Sequence, residues 1–177
     1  YKPATHWHIQ PAGHVADTYQ SLTRIIRSTP EAFFESVNAG NSDTNYSTPW
    51  SEMENKVTTF LKSYTSEAEL SELPVVSRVL ESLPEKSNLH LANSMAVRYA
   101  NIVCLDAGKK VEVYANRGTS GIDGSNSTTV GCALTSPAIT TLLTGDMAFF
   151  YDRNGLWHNY LPQNLHIIIL NNHAGGI

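Results

Sequence analysis

The sequence predicts an α/β fold, a parallel sheet covered by helices on both faces. Three observations carry the prediction. From Asn88 onward, short strand-like apolar runs alternate with helix-like segments, a βαβαβαβ order. The strand-like runs end in polar or glycine-rich stretches, as strands feeding loops at one sheet edge should. Finally, 41% of the 177 residues are apolar and 16% charged. The charged share lies below the roughly 25% of an average globular protein, so the chain can bury a core.

The elements follow in order. His6 to Gln10 is a strand candidate, with Pro11-Ala12-Gly13 as a turn signal. Leu22 to Arg27 offers a second strand. Thr29 is placed to cap a helix that has Pro30 at its first position, Glu31 in its first turn and its end near Val37. Asn38 to Pro49 is polar and reads as a linker. Trp50 to Tyr64 has Trp50, Met53, Val57, Phe60 and Leu61 at helical spacing. Ser66 and Glu69 form a capping-box pattern opening a helix through Leu70, Val76 and Leu83, with Pro84 beyond it.

The α/β part then begins. Asn88 to Leu91 is a strand, Ala92-Asn93-Ser94 a loop and Met95 to Val103 a helix. Val111 to Ala115 is a strand, and a glycine-rich turn leads to a helix from Ser125 to Leu134. Ile139 to Thr144 is a strand, Asn154 to Asn159 is helical, and His166 to Leu170 is the last strand. Domain boundaries are expected as 1–40, then a linker and helix over 41–65, then the sheet-bearing domain over 66–177.

Charge and composition exclude several classes. Twelve Lys+Arg against sixteen Asp+Glu give a net charge of −4, which argues against a nucleic-acid binder. No apolar run approaches the roughly 20 residues of a membrane span, and no stretch has a signal-peptide pattern. Cys104 and Cys132 form no metal-spaced pair and no disulfide framework, which fits a reducing, cytoplasmic setting. The seven histidines make no metal-ligand spacing, and Trp50, Trp157 and Phe149-Phe150 read as packing residues. The chain begins at Tyr1 without Met and stops at Gly175-Gly176-Ile177, just after a strand-like run. It is expected to be a piece of a longer protein.

Ligands of open α/β sheets bind at the carboxyl ends of strands. Those ends carry Asn93-Ser94, the stretch Asn116 to Gly124, Gly145-Asp146-Met147 and Asn171-Asn172-His173-Ala174. Asp146 and Asn172 are separated by residues 147–171, one strand–helix–strand unit. A carboxylate and an amide oxygen so placed suit a hard cation such as Mg²⁺, which keeps waters and phosphate oxygens in its shell. Unpaired N–H groups at the helix beginning near Ser125 and in the turn after Gly145 suit a phosphate. The joint reading is a diphosphate bridged by a metal. Gly-Asp and Asn-Asn are each ordinary loop sequences when taken alone; the interval between them favours the site.

The Gly-Asp to Asn-Asn interval resembles the signature of thiamine diphosphate enzymes. The string Asn116-Arg117-Gly118-Thr119-Ser120-Gly121-Ile122-Asp123-Gly124 is more specific. With Gly145-Asp146-Met147, Tyr151-Asp152-x-Asn154 and Asn93-Ser94-x-x-x-Arg98, it resembles the MenD-type synthases of menaquinone biosynthesis. The resemblance is strong from Leu89 to Ile177 and weak before Trp50.

The resemblance implies a thiamine diphosphate-binding fold, truncated, over 66–177, with 1–40 as the tail of a central domain. It implies thiamine diphosphate and Mg²⁺, or Mn²⁺, as cofactors. Asp146, Asn172 and the carbonyl of Ala174 match the metal ligands. Gly145, Asp146 and Met147 are expected to bind the cofactor, and Asn93 is expected near its diphosphate. Ile122 matches the bulky residue beneath the bent cofactor, and the backbone at Ser120 and Ile122 matches the aminopyrimidine contacts. Ser94, Arg98 and Arg117 match residues that meet two dicarboxylate substrates, 2-oxoglutarate and isochorismate; Arg grips carboxylates through paired hydrogen bonds. The catalytic glutamate is expected on an N-terminal domain that this chain lacks, from a partner subunit of a homo-oligomer. The chain alone is therefore expected to be inactive. Two other readings stay open here: another thiamine diphosphate decarboxylase or synthase, and a non-catalytic module that kept the fold.

Overall fold

A computed structural model of the chain describes residues 2–37 and 44–175. The chain divides into two compact units, Tyr1–Met53 and Glu54–Ile177.

In the first unit, β1 (Trp7–Ile9) pairs in parallel with β2 (Arg24–Ile26), Trp7 opposite Arg24 and Ile9 opposite Ile26. The Arg24 guanidinium lies 5.6 Å from the Trp7 ring centroid, a cross-strand cation–π contact. Helix α1 (Pro30–Ser36) begins where the sequence places it. The Thr29 hydroxyl accepts the Ala32 N–H at 3.3 Å, and Pro30 stands where no intrahelical N–H is needed.

The linker reading needs correction. Residues 38–43 lie outside the described residues, and Thr44 to Pro49 is helical, the opening of α2 (Thr44–Glu67). Only about one turn precedes Pro49, so the missing proline N–H removes little of the hydrogen-bond ladder. The Ser66–Glu69 capping box does not form either. Ser66 is still inside α2, its hydroxyl donating to the Ser63 carbonyl at 2.8 Å. The next helix, α3 (Glu72–Ser82), starts behind Ser71. Pro74 sets that start: proline is tolerated only in a helix's first turn, so α3 cannot begin much before it.

The second unit holds a four-stranded sheet of β3 (Ser87–Leu91), β4 (Val111–Ala115), β5 (Thr140–Gly145) and β6 (Leu165–Leu170). All pairs are parallel, in the order β4-β3-β5-β6, with Leu91 opposite both Ala115 and Leu143 and Gly145 opposite Leu170. The connections carry α4 (Met95–Val103), α5 (Ser125–Thr135) and α6 (Asp146–Tyr151), the last followed by a short 3-10 turn, Arg153–Leu156. That turn is shorter and earlier than the helix expected over Asn154 to Asn159.

Strand alternation sends neighbouring side chains to opposite faces. Leu89, Leu91, Leu143 and Leu170 join Val76 and Leu80 of α3 and Val97 and Ala100 of α4 in one apolar cluster. Asn88 points the other way, its amide donating to Ser136 Oγ at 3.3 Å, just past α5, and to Thr140 Oγ1 at 3.2 Å. Helices therefore cover both faces, as predicted. The α5 face is the more polar one. Thr129 and Asn126 are fully buried there, the Thr129 hydroxyl donating to the Ser125 carbonyl at 2.7 Å.

Candidate functional site

Parallel strands bring their carboxyl ends to one edge. From β3 the chain moves outward to β4, then crosses back to lay β5 on the other side of β3. The connections leaving β3 and β5 thus diverge, and a crevice opens between them. A cleft of about 530 Å³, counting space open to solvent, lies there. Asn93, Ser94 and Met95 form one wall, Gly145, Asp146 and Met147 another, and Leu170, Asn172 and Gly175 a third, with Ile122 and Glu72 completing it.

The cleft unites seven of the eleven residues singled out in the sequence: Asn93, Ser94, Ile122, Gly145, Asp146, Met147 and Asn172. Arg98, Arg117, Ser120 and Ala174 are exposed and do not line it. Arg98 places a guanidinium N–H 3.7 Å from the Met95 sulfur, and Arg117 donates to Asn93 Oδ1 at 3.0 Å.

Gly145 closes β5, and Asp146-Met147, expected in a loop, instead start a helix. Asp146 is the first residue of α6, and its Oδ1 accepts the Met147 N–H at 2.7 Å. Among the described residues, Oδ2 has no hydrogen-bond partner. Asn172 folds back so that its Oδ1 accepts the Ala174 N–H at 3.0 Å, which leaves a lone pair on that oxygen. A carboxylate oxygen and an amide oxygen thus face one cleft, a hard-donor pair that fits Mg²⁺ or Mn²⁺. Among the described residues, no cluster of three His, Cys, Asp or Glu side chains could hold a metal. The fit therefore rests on Asp146 and neutral oxygens rather than on a cluster of charged ligands.

The loops around the cleft hold unusual backbone. Ser94, Ser120 and His173 have φ of 71°, 57° and 59°. Non-glycine residues rarely occupy that region, and such strain collects at ligand sites. Gly124, at φ 79°, turns the chain into α5 without that penalty.

The phosphate expectation at α5 is overturned in part. The helix's N-terminal end is already taken by a carboxylate: Asp152 accepts the Ser127 N–H at 2.7 Å and the Ser127 hydroxyl at 2.6 Å. An anion bound there cannot reach that N–H group, and meets a negative charge instead. Asp152, quoted above as part of a motif, is a buried cap.

Glu72 was not singled out from the sequence. It starts α3, and a helix running back toward β3 must begin at the carboxyl edge; that crossover is the signal that could have found it. Tyr99 on α4 hydrogen-bonds to it. Burial, that hydrogen bond and the Glu72 charge push the Tyr99 phenol above its usual value.

The fold and the cleft define a class: a doubly wound α/β protein with a crevice at the topological switch of its sheet, its apolar lining interrupted by a carboxylate and an amide. No family model matches the chain. Curated proteins do. It is 42% identical over 174 residues to the 2-succinyl-5-enolpyruvyl-6-hydroxy-3-cyclohexene-1-carboxylate synthase of Cytophaga hutchinsonii, covering 97% of this chain and 31% of that protein. It is 43% identical over 180 residues to the synthase of that name from Flavobacterium psychrophilum, with 100% of this chain and 32% of the relative. The Bacteroides fragilis synthase is 41% identical over 181 residues, with 100% and 31% covered. The chain belongs to this synthase family, and it spans about a third of the length of these curated relatives.

Proposed function

We propose that this chain supplies the diphosphate- and metal-holding part of a 2-succinyl-5-enolpyruvyl-6-hydroxy-3-cyclohexene-1-carboxylate synthase. The whole enzyme decarboxylates 2-oxoglutarate and adds the succinyl semialdehyde unit to isochorismate, in menaquinone biosynthesis. The observation that carries the reading is the pairing of Asp146 and Asn172 in one cleft, on a chain about 40% identical to such synthases along its length.

When bound, thiamine diphosphate supplies a nucleophilic thiazolium carbon, the hard part of the chemistry. This chain's share is positioning. Asp146 Oδ2 and Asn172 Oδ1 hold Mg²⁺ or Mn²⁺ beside the diphosphate, with the Ala174 carbonyl as a backbone donor. Gly145 leaves room for close approach, and Met147 closes the apolar side. Ile122 supports the cofactor from below, while the backbone at Ser120 and Ile122 meets its aminopyrimidine edge. Ser94, Arg98 and Arg117 receive the carboxylates of the substrates. The activating glutamate comes from an N-terminal domain of a partner subunit in a homo-oligomer, so the chain alone has no turnover. The whole enzyme works in the cytoplasm. Among the described residues no helix is long and apolar enough to cross a membrane, and the chain's net negative charge gives nucleic acid no footing.

Replacing the one charged ligand tests the reading. In the whole synthase, Asp146→Ala should abolish Mg²⁺-dependent cofactor binding in calorimetry, because the cation loses the carboxylate ligand that offsets its charge. Binding at wild-type affinity would remove Asp146 from the metal site.

A further inference from the structure

Asn93 is 3% exposed and makes three hydrogen bonds with its side chain. Its amide nitrogen donates to the Asn116 carbonyl at 2.8 Å and to the Gly121 carbonyl. Its amide oxygen accepts from the Arg117 guanidinium at 3.0 Å. An asparagine amide has two N–H donors, so both are spent. No donor is left for a phosphate oxygen, which accepts but cannot donate. The two carbonyls stand at the ends of the loop that carries Arg117 and Ser120, with Ile122 directly after it. The third bond fixes one arm of Arg117, whose guanidinium keeps other N–H groups for a planar, bidentate partner.

We propose that Asn93 is a positioning residue rather than a diphosphate contact. It latches the Asn116–Gly121 loop to the carboxyl end of β3, and so aims Ile122 into the cleft and one edge of Arg117 at a carboxylate-bearing substrate. The latch stands on the hydrogen bonds alone; the carboxylate as its target rests on the synthase reading above.

Amide hydrogen exchange on the full chain without ligand tests the latch. Asn93→Asp keeps the size and the acceptor for Arg117, but sets carboxylate oxygens against two carbonyls. Residues 116–124 should exchange about tenfold faster or more, while β5 keeps its protection. Asn93→Ala should do the same by deletion. Retained β5 protection shows that each variant is folded; if one variant loses it, the other gives the reading. Unchanged exchange over 116–124 in a folded variant overturns the latch. In the whole synthase, Asn93→Asp should raise the KM for a dicarboxylate more than it lowers kcat, since the new charge competes for Arg117. Combining Asn93→Ala with Arg117→Ala should cost less than the two single changes together. Strict additivity overturns the aiming of Arg117. If the wild-type synthase binds no thiamine diphosphate while the variants still loosen the loop, the synthase reading fails and the latch survives.

Discussion

Ile122 is half-buried, between Gly121 and Asp123, and lines the cleft. An apolar side chain at a polar strand end gains most when a ligand covers it. Ile122→Ala should lower cofactor affinity only modestly, because metal and diphosphate contacts are untouched. The cofactor's C2 proton-exchange rate and kcat should fall further. If Ile122 merely fills the core, the variant loses part of the roughly 2–5 kcal/mol typical of large-to-small core changes and keeps its exchange rate. Melting temperature and C2 exchange, measured on the same variant, separate the two. The arginines give a second prediction at this scale. Arg98→Ala and Arg117→Ala should spare cofactor binding and lower kcat/KM for a dicarboxylate about ten- to a hundredfold, the loss of one charge-assisted hydrogen bond. Unchanged kinetics in both would take them out of the site. Residue identity and spacing were enough to bring Asp146, Asn172 and Ile122 to one cleft, since the first two stand just past strands and Ile122 stands in the loop that follows one. They were not enough for Asn93 or Asp152. What those two side chains bond to is fixed by tertiary approach, across 23 to 28 residues for Asn93 and 25 for Asp152.

Helix α5 shows how an element can depend on a distant segment. No side chain of its own N-cap residue, Gly124, bonds its first turn. Asp152 does so from the junction of α6 and the 3-10 turn, and Gly155 lets that turn close in. A Cβ at Gly155 would lie 2.5 Å from Ser127 Oγ and 3.0 Å from Ser127 Cα. Asp152→Ala should therefore lower stability by about 1–3 kcal/mol, as expected for a buried donor pair left unsatisfied. Asp152→Asn should recover part of it. A denaturant melt that barely moves for Asp152→Ala would mean that the cap contributes little. Most element positions were readable in advance: α4 and β4 match their expected bounds to the residue. The failures have a common source. The Ser66–Glu69 pattern and the polar 44–49 stretch are local signals, outweighed by continuation of α2 and by the Pro74 stop. The helical start at Asp146 had no periodic apolar pattern long enough to announce it.

For the molecule as a whole, His90 sets an expectation about acid. It is 5% exposed in the middle of β3, stacked on Tyr114 at 4.9 Å, and among the described residues its Nε2 has no hydrogen-bond partner. Burial holds its pKa below the ordinary 6.5. The folded state then binds fewer protons than the unfolded one at mildly acid pH. The stabilisation is complete above about pH 6.5 and is lost as the pH falls from there through the lower, folded value. His90→Phe keeps the stacking and removes the titration, so its stability should decline less between pH 6.5 and 5 than wild type. Equal slopes in the two would assign the acid loss to other groups. The parallel class of the sheet was legible from the alternation of elements, whereas the order β4-β3-β5-β6 was not, because crossover direction leaves no mark in composition.

That strand order has a kinetic consequence. Every pairing in the sheet joins strands with a whole crossover between them, the shortest closures being residues 92–110 and 146–164. No two-residue hairpin can form early and template the rest. The chain must give up loop entropy before any strand pair rewards it, which places such topologies among the slower folders. Because β3 is paired on both sides, it cannot be completed until β5 arrives from the far side of α5. During synthesis, a nascent chain that has reached β4 but not β5 therefore exposes one bare edge of its central strand, and chaperone binding should peak in that interval.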